Sequence, residues 1–267
     1  MSRLSDTFER GREEGRPVIA TFLTVGFPDR TTTGAMVEAM VEGGVDIIEL
    51  GAPFSDPLAE GVTIQKSSQV ALDQNVTLAD CLACCRNTRA RFPQIPLILM
   101  GYYNPLLSYG LSPFAEDAAK AGLDGLIVVD LPLEEAGPLQ SAVKAHGIDL
   151  IFLLAPTSTE ERIKRVAAVS SGFVYCVSLT GVTGARRELS ADVSTFLARV
   201  RAETDVPLVV GFGISTREHV ERVAPMADGV AVGSALINLI EKSAPAAREE
   251  NVKNFVRGLR GCVQAVS

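Results

Sequence analysis

Tryptophan is absent from the 267-residue chain, and histidine occurs only twice, at His146 and His219. Both histidines lie in charged, helix-patterned stretches, so neither a histidine-rich metal centre nor a histidine-based nucleophilic triad is easy to assemble. Excess positive charge is missing too: 25 Lys and Arg stand against 32 Asp and Glu, a formal net charge of −7. With no basic field to hold a phosphate backbone, nucleic acid is not an expected partner. Long apolar runs are also lacking, since stretches such as Val206 to Val210 stop far short of the ~18 residues that a membrane span needs. The first residues include Arg3, Asp6, Glu9, Arg10, Glu13 and Glu14, where a secretory leader would be apolar. Together these absences predict a cytoplasmic protein. Five cysteines, an odd number in a chain large enough to fold without staples, predict reduced thiols rather than a disulfide framework. Cys81, Cys84 and Cys85 share one face of a helix between Leu78 and Arg91, and without a fourth ligand they read as small buried hydrophobes, with no metal site.

What is present is an alternation of short apolar runs with helix-periodic stretches, the pattern of parallel βαβ units. Eight runs stand out: Val18 to Val25, Asp46 to Leu50, Leu97 to Gly101, Gly125 to Val129, Leu150 to Leu154, Phe173 to Val177, Leu208 to Gly211 and Gly229 to Val232. Each is dominated by Val, Ile and Leu without a polar face, as strands buried on both sides require. Helical patterns follow at Thr31 to Glu42, Ser112 to Ala121, Glu134 to Ala145, Glu160 to Val169, Ala191 to Ala202, Thr216 to Val223 and from about Arg248. No linker or shift of composition divides the chain. The expectation is therefore an α/β fold, a single (β/α)8 TIM barrel over residues 1–267. The segment Leu4 to Glu14 carries Leu4 and Phe8 four apart on an otherwise charged helix, so it is expected to cover the barrel bottom.

Candidate chemistry collects at strand C-terminal ends, where barrel enzymes place their sites. Glu49 lies inside a strand on the same face as Ile47. If that face points inward, the carboxyl loses hydration and its pKa rises toward that of a working general acid/base; the alternative is a structural carboxylate paired with a buried arginine. Glu60 follows in the next loop and is equally readable as a second acid or a solvated one. Asp56, between Ser55 and Pro57, reads locally as a turn residue or helix cap, and Asp130 as a loop support. Gly211-Phe212-Gly213 closes one strand, and Gly233-Ser234 closes the next and opens a helix. Two such glycine turns one βα unit apart fit a barrel phosphate site. Thr180 to Arg187, with Thr183 between Gly181 and Gly184, can serve as a lid or be a plain surface loop. Phe22, Tyr102, Tyr175 and Phe212 all sit near strand ends. Core packing accounts for any one of them, and together they suggest a flat apolar ligand.

The stretch Ile48-Glu49-Leu50-Gly51-Ala52-Pro53-Phe54-Ser55-Asp56-Pro57-Leu58-Ala59-Glu60-Gly61 resembles the tryptophan synthase alpha subunit family. Met100-Gly101-Tyr102-Tyr103-Asn104-Pro105, Gly181-Val182-Thr183-Gly184-Ala185 and Gly211-Phe212-Gly213-Ile214-Ser215 carry the same likeness, which runs from about Phe8 to Ile240. The resemblance implies cleavage of indole-3-glycerol phosphate to indole and glyceraldehyde 3-phosphate, a retro-aldol reaction with no cofactor or metal. It implies Glu49 as the acid/base and Glu60 as the acid balancing the indolenine nitrogen, where the family most often has Asp. It also implies Phe22, Tyr102, Tyr175 and Phe212 as ring contacts and Thr183 as the lid residue near the second acid. Gly184, Gly213, Gly233 and Ser234 then hold phosphate, and Asp56 and Pro57 press on a pyridoxal-phosphate beta subunit in an alpha2beta2 assembly, overriding the local turn reading of Asp56. A weakly active module that activates the beta subunit, or a stand-alone lyase releasing indole, are the alternatives.

Overall fold

Runs of Val, Ile and Leu without a polar face need cover on both sides, and a sheet rolled on itself inside a jacket of helices supplies it. The computed structural model describes residues 2–177, 191–211 and 213–261. Its strands are β1 Val18–Thr24, β2 Ile47–Gly51, β3 Leu97–Gly101, β4 Gly125–Val128, β5 Asp149–Ile151, β6 Leu153–Leu154, β7 Val174–Val177, β8 Leu208–Gly211 and β9 Gly229–Val232. All pairings are parallel, in the order β5-β4-β3-β2-β1-β9-β8-β7-β6. β5 and β6 are the two halves of the strand expected at Leu150 to Leu154, parted at Phe152. The first half bonds β4 and the second bonds β7, while the Tyr175 N–H reaches the Phe152 carbonyl at 3.0 Å. This split stave completes the eight-membered ring of a TIM barrel.

The helices depart from expectation where local chemistry overrides periodicity. The first barrel helix starts at Thr33 rather than Thr31, because the Asp29 carboxylate takes the N–H groups of Thr31 and Thr32 at 3.0 Å in a turn ahead of it. The pattern from Glu134 to Ala145 divides into a 3-10 turn, Leu133–Glu135, and a helix, Gly137–Lys144. Pro138 has no N–H to give the preceding carbonyls, so it sits in the first turn of a new helix. Helices Val62–Asp73 and Tyr103–Tyr109 were not marked by the sequence pattern. Among the described residues no helix is long and apolar enough to cross a membrane. Cys81, Cys85 and Cys176 are buried free thiols, and burial pushes the half-buried Cys84 thiol up to about 11.

The bottom of the barrel is closed as expected. Helix Arg3–Glu13 is capped by Ser2, whose hydroxyl accepts the Ser5 N–H at 3.2 Å. It buries Leu4 and Phe8, the Phe8 ring lying 5.8 Å from that of Phe173. Around this plug, three aspartates just ahead of strands tie each strand to its neighbour and to an arginine. Asp46 accepts the Ile19 N–H at 2.9 Å and both Arg16 Nη atoms, at 2.7 and 2.9 Å. Asp124 accepts the Leu97 N–H at 2.8 Å, Arg89 Nη2 at 2.5 Å and Arg3 Nη1 at 2.9 Å. Asp228 accepts the Leu208 N–H at 2.8 Å and an Arg201 guanidinium. These carboxylates satisfy strand N–H groups that would otherwise be orphaned, and their removal strands a guanidinium in a half-buried place. Asp124→Ala should therefore lower the unfolding free energy by about 3 kcal/mol in urea titrations, the scale for breaking a buried pair. Asp130→Ala, at the opposite face, loses among the described residues only the bond from the Tyr103 N–H and should cost about 1 kcal/mol.

Candidate active site

Strand register decides which side chains meet at the top of the barrel. β1 pairs Phe22 with Glu49, and β3 sets Ile98 on the other side of Glu49. Alternation along β2 then points Ile47, Glu49 and Gly51 inward. Glu49 is 1% exposed, and neither carboxyl oxygen has a hydrogen-bond partner among the described residues. Burial first, and the nearby charge of Glu60 second, push this carboxyl up to about 8. Among the described residues no guanidinium reaches it, which speaks against the arginine-paired alternative. Glu60 stands in the loop after β2, is 7% exposed, and is pushed up to about 7 by its own burial. Two acids thus share one desolvated space, the arrangement in which protons are exchanged near neutral pH.

That space is a cavity of about 520 Å³ lined by Phe22, Glu49, Met100 and Tyr175 from the strands, Glu60, Thr63 and Ile64 from the second βα unit, and Gly213, Gly233 and Ser234 from the last two units. Its size suits a small organic ligand. Two glycines at strand ends make the aromatic walls possible. A Cβ on Gly51 would overlap the Phe22 ring, and one on Gly211 would overlap the Tyr175 hydroxyl. The other end of the cavity is built for an anion. Gly213 adopts φ +80°, and helix Ser234–Lys242 begins behind Gly233 with no side chain capping it. Among the described residues nothing bonds its first N–H groups, and the positive end of the helix dipole faces the cavity.

Other positions marked from the sequence fall elsewhere. Tyr102 does not line the cavity; its hydroxyl oxygen accepts the Ala59 N–H at 3.1 Å. Asp56 is exposed and accepts the Ser55 hydroxyl at 2.5 Å. Pro57 is half-buried beside it, and Leu58 is 88% exposed. Asp130 supports a loop, accepting the Tyr103 N–H at 2.8 Å. Thr183, Gly184 and Phe212 lie outside the described residues. Met100 and Ala231 line the cavity and were missed, although each lies two residues along a strand from an inward position.

Residues 8–264 match the family model for the tryptophan synthase alpha chain. The chain belongs to the tryptophan synthase alpha chain family. A tryptophan synthase alpha chain from Roseiflexus castenholzii is 51% identical over 261 residues, covering 98% of this chain and 100% of that one. Among solved structures, tryptophan synthase subunit alpha from Legionella pneumophila superposes with a TM-score of 0.89 at 34% identity, covering 98% of each chain. A chain of M. tuberculosis tryptophan synthase in its aminoacrylate-bound form gives 0.87 at 35% identity, covering 97% of this chain and 98% of that one. As a member of the tryptophan synthase alpha family the chain is a lyase of indole-3-glycerol phosphate that pairs with a beta subunit.

The two raised acids make stability depend on pH in a definite direction. Both carboxyls lie above the ordinary value of 4.5, so between that value and their native ones the folded chain holds protons that the unfolded chain has released. Their stabilising contribution is complete below about 4.5 and is lost as pH rises through about 7 and about 8. The thermal midpoint of the wild type should thus fall between pH 6 and pH 9 more steeply than that of Glu49→Gln, which is neutral throughout. Parallel curves for the two proteins would show that Glu49 is not held protonated.

Proposed function

We propose that Glu49 and Glu60 divide the proton work of the alpha reaction, the retro-aldol cleavage of indole-3-glycerol phosphate to indole and glyceraldehyde 3-phosphate. The observation that carries this reading is an inward carboxyl with no partner among the described residues, beside a second buried acid, in a cavity ending at an uncapped helix N-terminus. The bond to be broken joins indole C3 to the glycerol side chain, and direct cleavage would leave a poor carbanion. Neutral Glu49 gives its proton to C3, which places a positive charge on the ring nitrogen. Glu60, the more readily ionised of the two, balances that charge. Glu49, now a carboxylate, takes the proton of the adjacent glycerol hydroxyl; the pair left on oxygen by the O–H bond becomes the second C–O bond of the aldehyde, and the bonding pair to C3 returns to the ring. The proton balance closes on Glu49, and each step asks for the environment found there.

The remaining assignments follow the same reading. Phe22 and Tyr175, with Phe212 at a ring-contacting position of the family, surround the indole, whereas Tyr102, outside the cavity lining, bonds the loop that carries Glu60. Gly213, Gly233 and Ser234, with Gly184, hold the phosphate largely through N–H groups, and Thr183 belongs to the lid that meets Glu60. Asp56 and Pro57 face the beta subunit in an alpha2beta2 assembly. The chain, residues 1–267, works as one unit in the cytoplasm, and the chemistry calls on no cofactor. Glu49→Gln keeps shape but cannot exchange a proton; turnover measured as indole release with beta subunit present should drop by at least about two orders of magnitude, while a phosphate-bearing substrate analogue still binds. Near-normal turnover in that variant would make Glu49 structural and end the mechanism.

A further inference from the structure

Tyr102 follows β3 and is buried, 5% exposed, yet both ends of its side chain are spent on the loop that carries Glu60. Its ring stacks on Phe54 at the start of that loop, with centroids 4.8 Å apart and planes 26° apart. Its hydroxyl oxygen accepts the Ala59 N–H at 3.1 Å, one residue before the acid. On the far side of the acid, Gln65 Nε2 donates to the Glu60 carbonyl at 2.9 Å. The Glu60 N–H itself closes a turn onto the Pro57 carbonyl at 3.0 Å. Between Phe54 and Glu60 no residue of the loop is buried, so the loop has no apolar anchor of its own there. Among the described residues, its hold on the barrel in that stretch is what Tyr102 supplies.

We infer that Tyr102 is a positioning residue for Glu60, clamping the loop through ring and hydroxyl together so that the longer acid presents its carboxyl to the cavity. The inference rests on the reading of Glu60 as the second acid. A glutamate carries one more rotatable bond than an aspartate, and catalytic geometry tolerates only about 0.5 Å of error. A backbone pinned on both sides of the residue removes the larger source of that error and leaves only the side chain to adjust. The clamp also keeps water out. The ionisable groups near the Glu60 carboxyl among the described residues are Glu49, Tyr102 and Tyr175, none of them basic, so the elevation of this acid depends on the loop staying shut.

Tyr102→Phe keeps the stack on Phe54 and removes only the acceptor. The expected result is a fall in kcat for indole release of about tenfold to a hundredfold, the scale for slight misplacement of a reacting group, with KM nearly unchanged. The limb of the pH profile that belongs to Glu60 should move to lower pH as the loosened loop admits water, and hydrogen exchange at the Ala59 amide should quicken by about tenfold, one hydrogen bond's worth. Gln65→Leu, on an exposed helical position, should shift kcat and the pH limb in the same directions and serves if Tyr102→Phe folds poorly. A raised KM with unchanged kcat would make Tyr102 a contact for the indole ring and overturn the clamp, as would unaltered Ala59 exchange. Exchange reads the clamp without any activity, whereas turnover of Glu60→Ala reads the role of the acid, so failure of one is separable from failure of the other.

Discussion

The structure depends on how its strands are tied at the bottom of the barrel. Asp46, Asp124 and Asp228 each stand just ahead of a strand, accept an N–H from the start of the neighbouring strand, and bind an arginine. A parallel barrel begins all its strands at one end, so strand-start N–H groups crowd there and need acceptors. Meeting that need with carboxylates that also hold guanidinium groups turns a liability into a set of cross-links. The top can then carry the opposite condition. Glu49 is buried without a hydrogen bond among the described residues, a costly state that persists only when the surrounding fold over-determines it.

Much of this was readable in the sequence, for reasons that differ between the two faces. The strands announce themselves because a stave buried on both sides admits little but Val, Ile and Leu, and Glu49 is conspicuous as an acid set between apolar residues within such a run. The bottom latches escaped notice although Val45-Asp46-Ile47, Leu123-Asp124-Gly125 and Ala227-Asp228-Gly229 repeat a pattern, because their arginine partners come from other elements at no fixed spacing. Helix Gly137–Lys144 starts late because Pro138 outweighs an otherwise continuous helical pattern. Tyr102 was legible as an aromatic at a strand end, but which of its neighbours it serves is a matter of tertiary contact. Helix Tyr103–Tyr109 is too short for its periodicity to stand out.

The cavity is shaped as much by missing atoms as by the side chains that line it. Phe22 and Tyr175 lie across Gly51 and Gly211, each at the end of a strand where any other residue would push the ring into the space reserved for a ligand. Those two positions therefore set the width of the pocket, just as Gly213 and Gly233 set how near an anion can come to the backbone. A barrel whose interior is otherwise filled gains an opening at one end without loss of close packing below it.

Leu58, 88% exposed, and Glu60, turned inward, are two residues apart in one loop that Tyr102 and Gln65 hold at fixed points. Such a segment has two addresses, one outside and one within the barrel, and linkage makes traffic between them reciprocal. If covering Leu58 alters by some factor how tightly the cavity retains its occupant, the occupant must alter by that same factor how tightly the cover is retained. A single hydrophobic side chain left in water is in this sense an input and an output of the same loop.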